Sequence, residues 1–399
     1  MTEVKSLRLA SRVGQIQPSP TMAVMAEAMR LKAEGVDVVD FSAGQPDFPT
    51  PEHIKLSGEK AIADNFTRYT PNAGMPELRQ AVADRYRMDY GLDFGGSNVI
   101  ITSGGKHALL NLMLALVDPG DEVVIPTPYW GTFSEQVSLA GGEAVFVATS
   151  EDDGFRMTAD VIEPALTERT RILLINFPAN PTGAVIGDEE IRAIGDLIED
   201  RDAFFLWDDT YARLMFEPAP GAAFQYVQQK LGERFMIAGT ASKAYAMTGW
   251  RIGWTMASET IIKACGSLQS QMTSNACSIS QKAALTALKS DQAPLAEMVA
   301  EYLWRAKRLR EGLLEIPHLR CGMPGGGFYL FPNVSHYLRP NETTTELSAE
   351  LLDEVRVAVV PGTAFGCDGH LRISFACSRQ LIEEGIRRVK RFFAARADS

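Results

Sequence analysis

A chain of 399 residues, 46% of them hydrophobic, is too long for one ordinary domain and suits a large domain with a smaller companion. Its formal charge of −11, with basic residues scattered along it, argues against a nucleic-acid partner, which requires a clustered basic footprint. Five cysteines without C-x-x-C spacing and five histidines without an H-E-x-x-H or H-x-H array argue against a disulfide framework or a metal site, and fit the reduced thiols of a cytoplasmic protein.

In chain order, the opening MTEVKSLRLASRVGQ carries charges but no apolar h-region, so no secretory signal is expected. A helix is expected over Met22–Glu34, followed by a short strand in VDVVDF. From about residue 98, short β-branched or apolar runs alternate with helical patterns. The strands are NVIIT (98–102), EVVIP (122–126), AVFVAT (144–149), RILLIN (171–176), AFFLW (203–207) and FMIAGT (235–240). Several are continuously apolar, as strands of a sheet covered on both faces are. Between them lie HALLNLMLALV, apolar nearly all round, and the amphipathic EEIRAIGDLIED. The first of these belongs to the longest apolar run, which is too short to cross a bilayer. This alternation predicts an α/β domain with a mainly parallel sheet. The C-terminal part reads as an α+β unit: a charged helix (293–314), GGGFYLFPNV, a helix near TELSAELLDEV, then VAVVPG and LRISFA. The expected division is a large domain over 48–294 and a discontinuous small domain from 1–47 and 295–399.

Four stretches carry chemistry. In SKAYAMTGWRIG (242–253), Lys243 follows the buried run FMIAGT, placing it at the C-terminal end of a strand, where open α/β sheets put their ligand sites. A desolvated lysine there can form a Schiff base with an aldehyde cofactor, and Arg251, Thr240 and Ser242 suit a phosphate. In TSGGKHALL (102–110), a strand, a Ser-Gly-Gly turn and a helix aim free backbone N–H groups at an anion. No Walker loop or G-x-G-x-x-G fingerprint is present. In FPANPTGAV (177–185), two prolines frame Asn180 at another strand end. In LWDDTYARL (206–214), an acid ends a hydrophobic strand, and a protonated pyridine nitrogen is a suitable partner for it. Asp208 and Asp209 are equal candidates on this ground.

The ordered set SGGK, PYW, NPTG, DDTY, SKAYAMTGWRIG and LRISFA, preceded by FSAGQPDFPTP and RYTPNAGMPELR, resembles the class I aminotransferases of fold type I, which use pyridoxal 5′-phosphate (PLP). It is most similar to the bacterial aspartate aminotransferase branch with GGK after its strand. The resemblance implies that Lys243 holds the cofactor and shuttles the proton, and that Asp208 pairs with the ring nitrogen. It implies that Asn180 and Tyr211 bond the ring's 3-oxygen and that Trp130 stacks on the ring. Gly104, Gly105, Thr240, Ser242 and Arg251 would hold the phosphate, joined by Tyr69 from a neighbouring subunit in a homodimer. Arg372, helped by the backbone at Gly44, would clamp the substrate α-carboxylate. His107 and His370 are read as incidental, and Gly325–Gly327 as a turn lining the substrate entrance.

For a dicarboxylic substrate such as aspartate or glutamate a second cation is needed, and the stretch 265–290 contains no arginine. Lys106 at the first turn of the phosphate-side helix and Thr21 near the N-terminus match the residues that the GGK branch uses. The alternatives are an aminotransferase for aromatic or other neutral amino acids and a PLP-dependent C–S lyase on the same scaffold. A DNA-binding regulator would need an N-terminal winged helix, and only about 40 residues precede FSAGQPD.

Overall fold

The computed structural model describes residues 8–17, 20–217 and 221–397. Twelve strands occur among them: β1 (Val39–Asp40), β2 (Val99–Thr102), β3 (Glu122–Thr127), β4 (Glu143–Ala148), β5 (Thr170–Asn176), β6 (Phe204–Asp208), β7 (Phe235–Thr240), β8 (Gly253–Met256), β9 (Tyr329–Leu330), β10 (Val357–Ala358), β11 (Val360–Pro361) and β12 (Leu371–Ser374). All six strands expected from residue 98 onward are present. β8 was not expected.

Strands β2 to β8 form one sheet in the order β2-β8-β7-β6-β5-β3-β4, parallel except for β8, which runs antiparallel to both its neighbours. Successive residues of a strand face opposite sides, and the cores divide accordingly. Leu173 and Ile175 of β5, with Phe205 and Trp207 of β6, enter one apolar cluster together with Ile194 and Phe224. Ile172, Leu174 and Leu206 enter another with Leu109, Leu112 and Ile262. Helices therefore cover both faces, which is why these strands are apolar throughout. The edge strand β4 is the exception, with Phe146 48% exposed.

A third core joins distant parts of the chain. Val39 and Phe41 pack with Tyr302, Leu309, Leu351, Val357, Ile373 and Phe392. β1 pairs in parallel with β10, Val39 opposite Val357, while β12 lies between β11 and β9. The long helix spans Ala293–Leu314. No helix among the described residues is long and apolar enough to cross a membrane.

Candidate active site

The parallel strands β2, β3, β5, β6 and β7 end at the same edge of the sheet, and the loops leaving them enclose a cavity of about 360 Å3. Thirteen residues singled out from the sequence line it: Thr21, Gly44, Gly105, Lys106, Trp130, Asn180, Asp208, Tyr211, Thr240, Ser242, Lys243, Arg251 and Arg372. Gly104 stands just behind Arg251. Tyr69 is 90% exposed and lies outside the cavity.

After β2 the chain turns at Gly104, with φ +91°, and enters the helix Gly105–Leu116. A side chain at 104 would be strained by the positive φ and would push the guanidinium aside, since its Cβ would stand 2.4 Å from Arg251 Nη2. The glycine thus lets the guanidinium and the helix start share one corner. N–H groups of a first helical turn have no partner within the helix, so this corner is an anion cradle. Thr240 Oγ1 lies 2.9 Å from Ser242 Oγ and accepts from Ser242 N at 3.1 Å, holding both hydroxyls in the floor of the cavity.

Asp208 closes β6 and is 2% exposed. Thr210 donates to its Oδ1 from both N (3.1 Å) and Oγ1 (2.7 Å), and among the described residues it has no ion-pair partner. Burial pushes its pKa up to about 6, against the pull of the Thr210 hydrogen bonds and of Lys243. Asp209 turns away from the cavity, where Tyr86 donates to its carboxylate and Trp254 Nε1 in turn donates to Tyr86 Oη at 3.0 Å. The alternation of a strand thus separates two acids that the sequence left equal.

Lys243 is half-buried and donates from Nζ to the Gly44 carbonyl. Burial, then Arg372 and Arg251, lower its pKa to about 7, with Asp208 opposing. Arg372 is 2% exposed and its guanidinium lies against two rings, 4.3 Å from the Tyr329 centroid and 5.1 Å from that of Phe365. It donates to Asn180 Oδ1 (3.2 Å) and the Ser42 carbonyl (2.9 Å), while its Nε has no partner. No carboxylate pairs with it among the described residues. At the rim, Lys106 Nζ sits 5.0 Å from the Trp130 ring centroid, and burial and Arg251 lower its pKa.

Two findings differ from the sequence reading. The glycine run 325–327 does not line this cavity; Gly325 borders a separate groove. Its small residues permit chain crossings, since a Cβ at 325 would meet Val185 at 2.5 Å and one at 326 would meet Pro178 at 2.7 Å. Sequence reasoning also passed over Tyr329, Asn176 and Gln45, which line the cavity. Asn176 was the most visible of them, as the polar end of RILLIN.

One unpaired buried acid, a lysine near neutrality and an unpaired buried arginine, at the carboxyl ends of a mainly parallel sheet, define a fold type I transferase site. The chain belongs to the family described as aminotransferase class I and II, whose model matches residues 36–389. Members move an amino group from an amino acid to a 2-oxoacid. The chain is 39% identical over 388 residues to the aspartate aminotransferase of Bacillus subtilis, covering 97% of this chain and 99% of that one. It is 38% identical over 392 residues to the aspartate/prephenate aminotransferase of Nitrosomonas europaea, covering 96% and 99%. The solved aspartate aminotransferase of Thermus thermophilus with maleate superposes with a TM-score of 0.92 at 38% identity, over 97% of this chain and 100% of that one.

Proposed function

We propose that this aminotransferase uses PLP held on Lys243, with aspartate or glutamate as amino donor and a 2-oxoacid such as 2-oxoglutarate as acceptor. The observation that carries the reading is the pair Arg372 and Asp208. Two buried groups of opposite charge face one cavity without forming an ion pair with each other or with any other charged side chain among the described residues; their side-chain partners are the neutral Thr210 and Asn180. Burial of such charges is tolerable when ligands of opposite charge complete them.

The residues fit the cofactor. The Gly104–Gly105 turn with Arg251, Thr240 and Ser242 suits a phosphate, Asp208 suits a protonated ring nitrogen, and Tyr211 and Asn180 suit the ring oxygen. Trp130 offers an aromatic face. When bound, PLP supplies an electron sink for charge developing at the substrate α-carbon. Arg372 then holds the α-carboxylate beside its aromatic neighbours and so orients the α C–H bond. Lys243 Nζ would take the α-proton and deliver it, past the intervening amino nitrogen, to the carbon that was the cofactor's aldehyde. A pKa near 7 suits both halves of that task, because the amine is neutral often enough to accept a proton and acidic enough to give it back. Asp208, kept from water, holds its charge against the ring nitrogen.

The homodimer reading is supported by Tyr69, whose phenol is free to reach a neighbouring subunit. The cytoplasmic reading rests on the five free cysteines. The division at residues 48 and 295 is supported by the core that unites Val39 and Phe41 with the C-terminal helices.

The dicarboxylate preference rests on Lys106 and Thr21, which line the same cavity as Arg372. Lys106 has no ion-pair partner among the described residues, so a distal carboxylate would meet an available charge. Lys106→Ala should lose about 2–3 kcal/mol in kcat/KM for aspartate and far less for phenylalanine, as expected for one charge-assisted contact. An equal effect on both donors, or a parent enzyme inactive with aspartate, rejects the preference and leaves the aminotransferase reading standing.

A further inference from the structure

Tyr329 belongs to no sequence motif given a role above, yet it touches both halves of the site. β9 pairs antiparallel with β12 so that Tyr329 stands opposite Ser374. Arg372, two residues before Ser374, is therefore its diagonal neighbour on the same face. That register lays the Tyr329 ring 4.3 Å from the guanidinium, with the Phe365 ring centroid 5.1 Å away. At the far end of the same ring, the Tyr329 and Tyr211 hydroxyls are 2.9 Å apart. The two rings meet nearly edge-on, at 73°. Tyr329 is 1% exposed and Tyr211 5% exposed, so no bulk water competes for this hydrogen bond. A Cβ at Gly44 would lie 3.7 Å from the Tyr329 hydroxyl, so the segment that accepts from Lys243 passes beside it.

We infer that Tyr329 is a positioning residue that sets two ligand-holding groups at once, the Tyr211 phenol through its hydroxyl and the Arg372 guanidinium through its ring. The inference rests on the aminotransferase reading above. Burial raises the Tyr211 pKa, as does Tyr329 when it accepts from Tyr211, so that phenol is neutral and has a proton to give. When Tyr211 gives it to a ligand oxygen, its own oxygen is left to accept from Tyr329. The chain Tyr329 to Tyr211 to ligand polarises each link and makes Tyr211 the stronger donor. The ring acts separately. It fixes the plane of a guanidinium whose Nε has no partner, so that the fork meets a carboxylate without first reorienting.

The two contacts come apart by substitution. Tyr329→Phe removes the hydroxyl and keeps the ring; Tyr329→Leu removes both. The holoenzymes are titrated across neutral pH by the absorbance of the cofactor on Lys243, and maleate, which has no amino group to react, is titrated for binding. Tyr329→Phe should raise the absorbance midpoint by roughly half a pH unit, because a weaker Tyr211 donor stabilises the ring oxygen's anion less, a loss smaller than one hydrogen bond. Its maleate Kd should stay within about twofold of wild type, since the ring's cation–π contact is retained. Tyr329→Leu should show the same midpoint shift and a maleate Kd raised about five- to tenfold, the range of a lost cation–π contact. A wild-type midpoint in Tyr329→Phe, or wild-type maleate binding in Tyr329→Leu, overturns the inference. A wild-type protein that takes up no PLP overturns the aminotransferase reading itself, and the inference with it.

Discussion

Lys243 should destabilise the protein that carries it, and the sign and size of that effect can be worked out. Its folded pKa is about 7, against an ordinary value of 10.5. Above the ordinary value neither state binds the proton, so the group is neutral in its effect. As pH falls, the unfolded chain takes up the proton and the folded chain does not, and folding becomes less favourable by about 1.4 kcal/mol per unit. Below about 7 both states are protonated and the penalty is constant. The full interval caps it at roughly 4–5 kcal/mol. Lys243→Met keeps the volume but loses the bond to Gly44, worth about 1 kcal/mol, leaving a net gain near 3 kcal/mol for the apoprotein at pH 6.5. For a chain of this size that is a Tm higher by about 3–6 °C, shrinking to nothing by about pH 9.5. Scanning calorimetry of PLP-free wild type and variant at four pH values tests it. A Tm difference that does not vary with pH, or a variant less stable at pH 6.5, refutes the reasoning. Added PLP should reverse the order by binding covalently only to the wild type.

Asp208→Asn should lower kcat/KM by 100-fold or more, about 3 kcal/mol, because an amide cannot hold a proton on the ring nitrogen. Asp209→Asn should cost less than about tenfold, since burial already pushes that carboxyl up to about 8 and an amide mimics its neutral form; the reverse ranking in steady-state assays shows that the wrong acid was chosen. Mixing Lys243→Ala and Tyr69→Phe subunits should restore activity through heterodimers with one undamaged site, and a fully active monomer in sedimentation would falsify the shared site.

The sheet was legible because its strands are continuous apolar runs, and such runs require cover on both faces. β8 was not, because GWTM is four fully buried residues directly after the Arg251 turn and shows neither length nor alternation. The strand ends carrying Asn180, Asp208 and Lys243 could be found from local order alone, as a polar group after an apolar run. Tyr329 could not, because its role comes from a cross-strand register with β12 and from contact with Tyr211, 118 residues away. The glycine run 325–327 misled for a related reason. Glycine signals a close approach without saying what approaches, and here it is Val185 and Pro178.

The arrangement of charge also explains how an acidic chain can hold a site for anions. The net charge of −11 sits on the surface, where dissolved salt screens it over about 10 Å at ~0.1 M ionic strength. Within the cavity Lys106, Lys243, Arg251 and Arg372 face one carboxylate, Asp208. Asp209 is next in sequence, and were it ionised and turned inward it would cancel much of that field. It is turned away from the cavity instead, towards buried Tyr86, with its pKa raised to about 8 by burial, so at neutral pH it adds little negative charge. Gly239 makes room for this, since a Cβ there would stand 2.2 Å from Trp254 Nε1 and 2.8 Å from Asp209 Oδ1. The excess of positive charge has a second effect, because Arg372 and Arg251 help lower the Lys243 pKa towards neutrality. On the function proposed above, the cations that would receive the anionic parts of the ligands are thus also the ones that would free the lysine to act as a base.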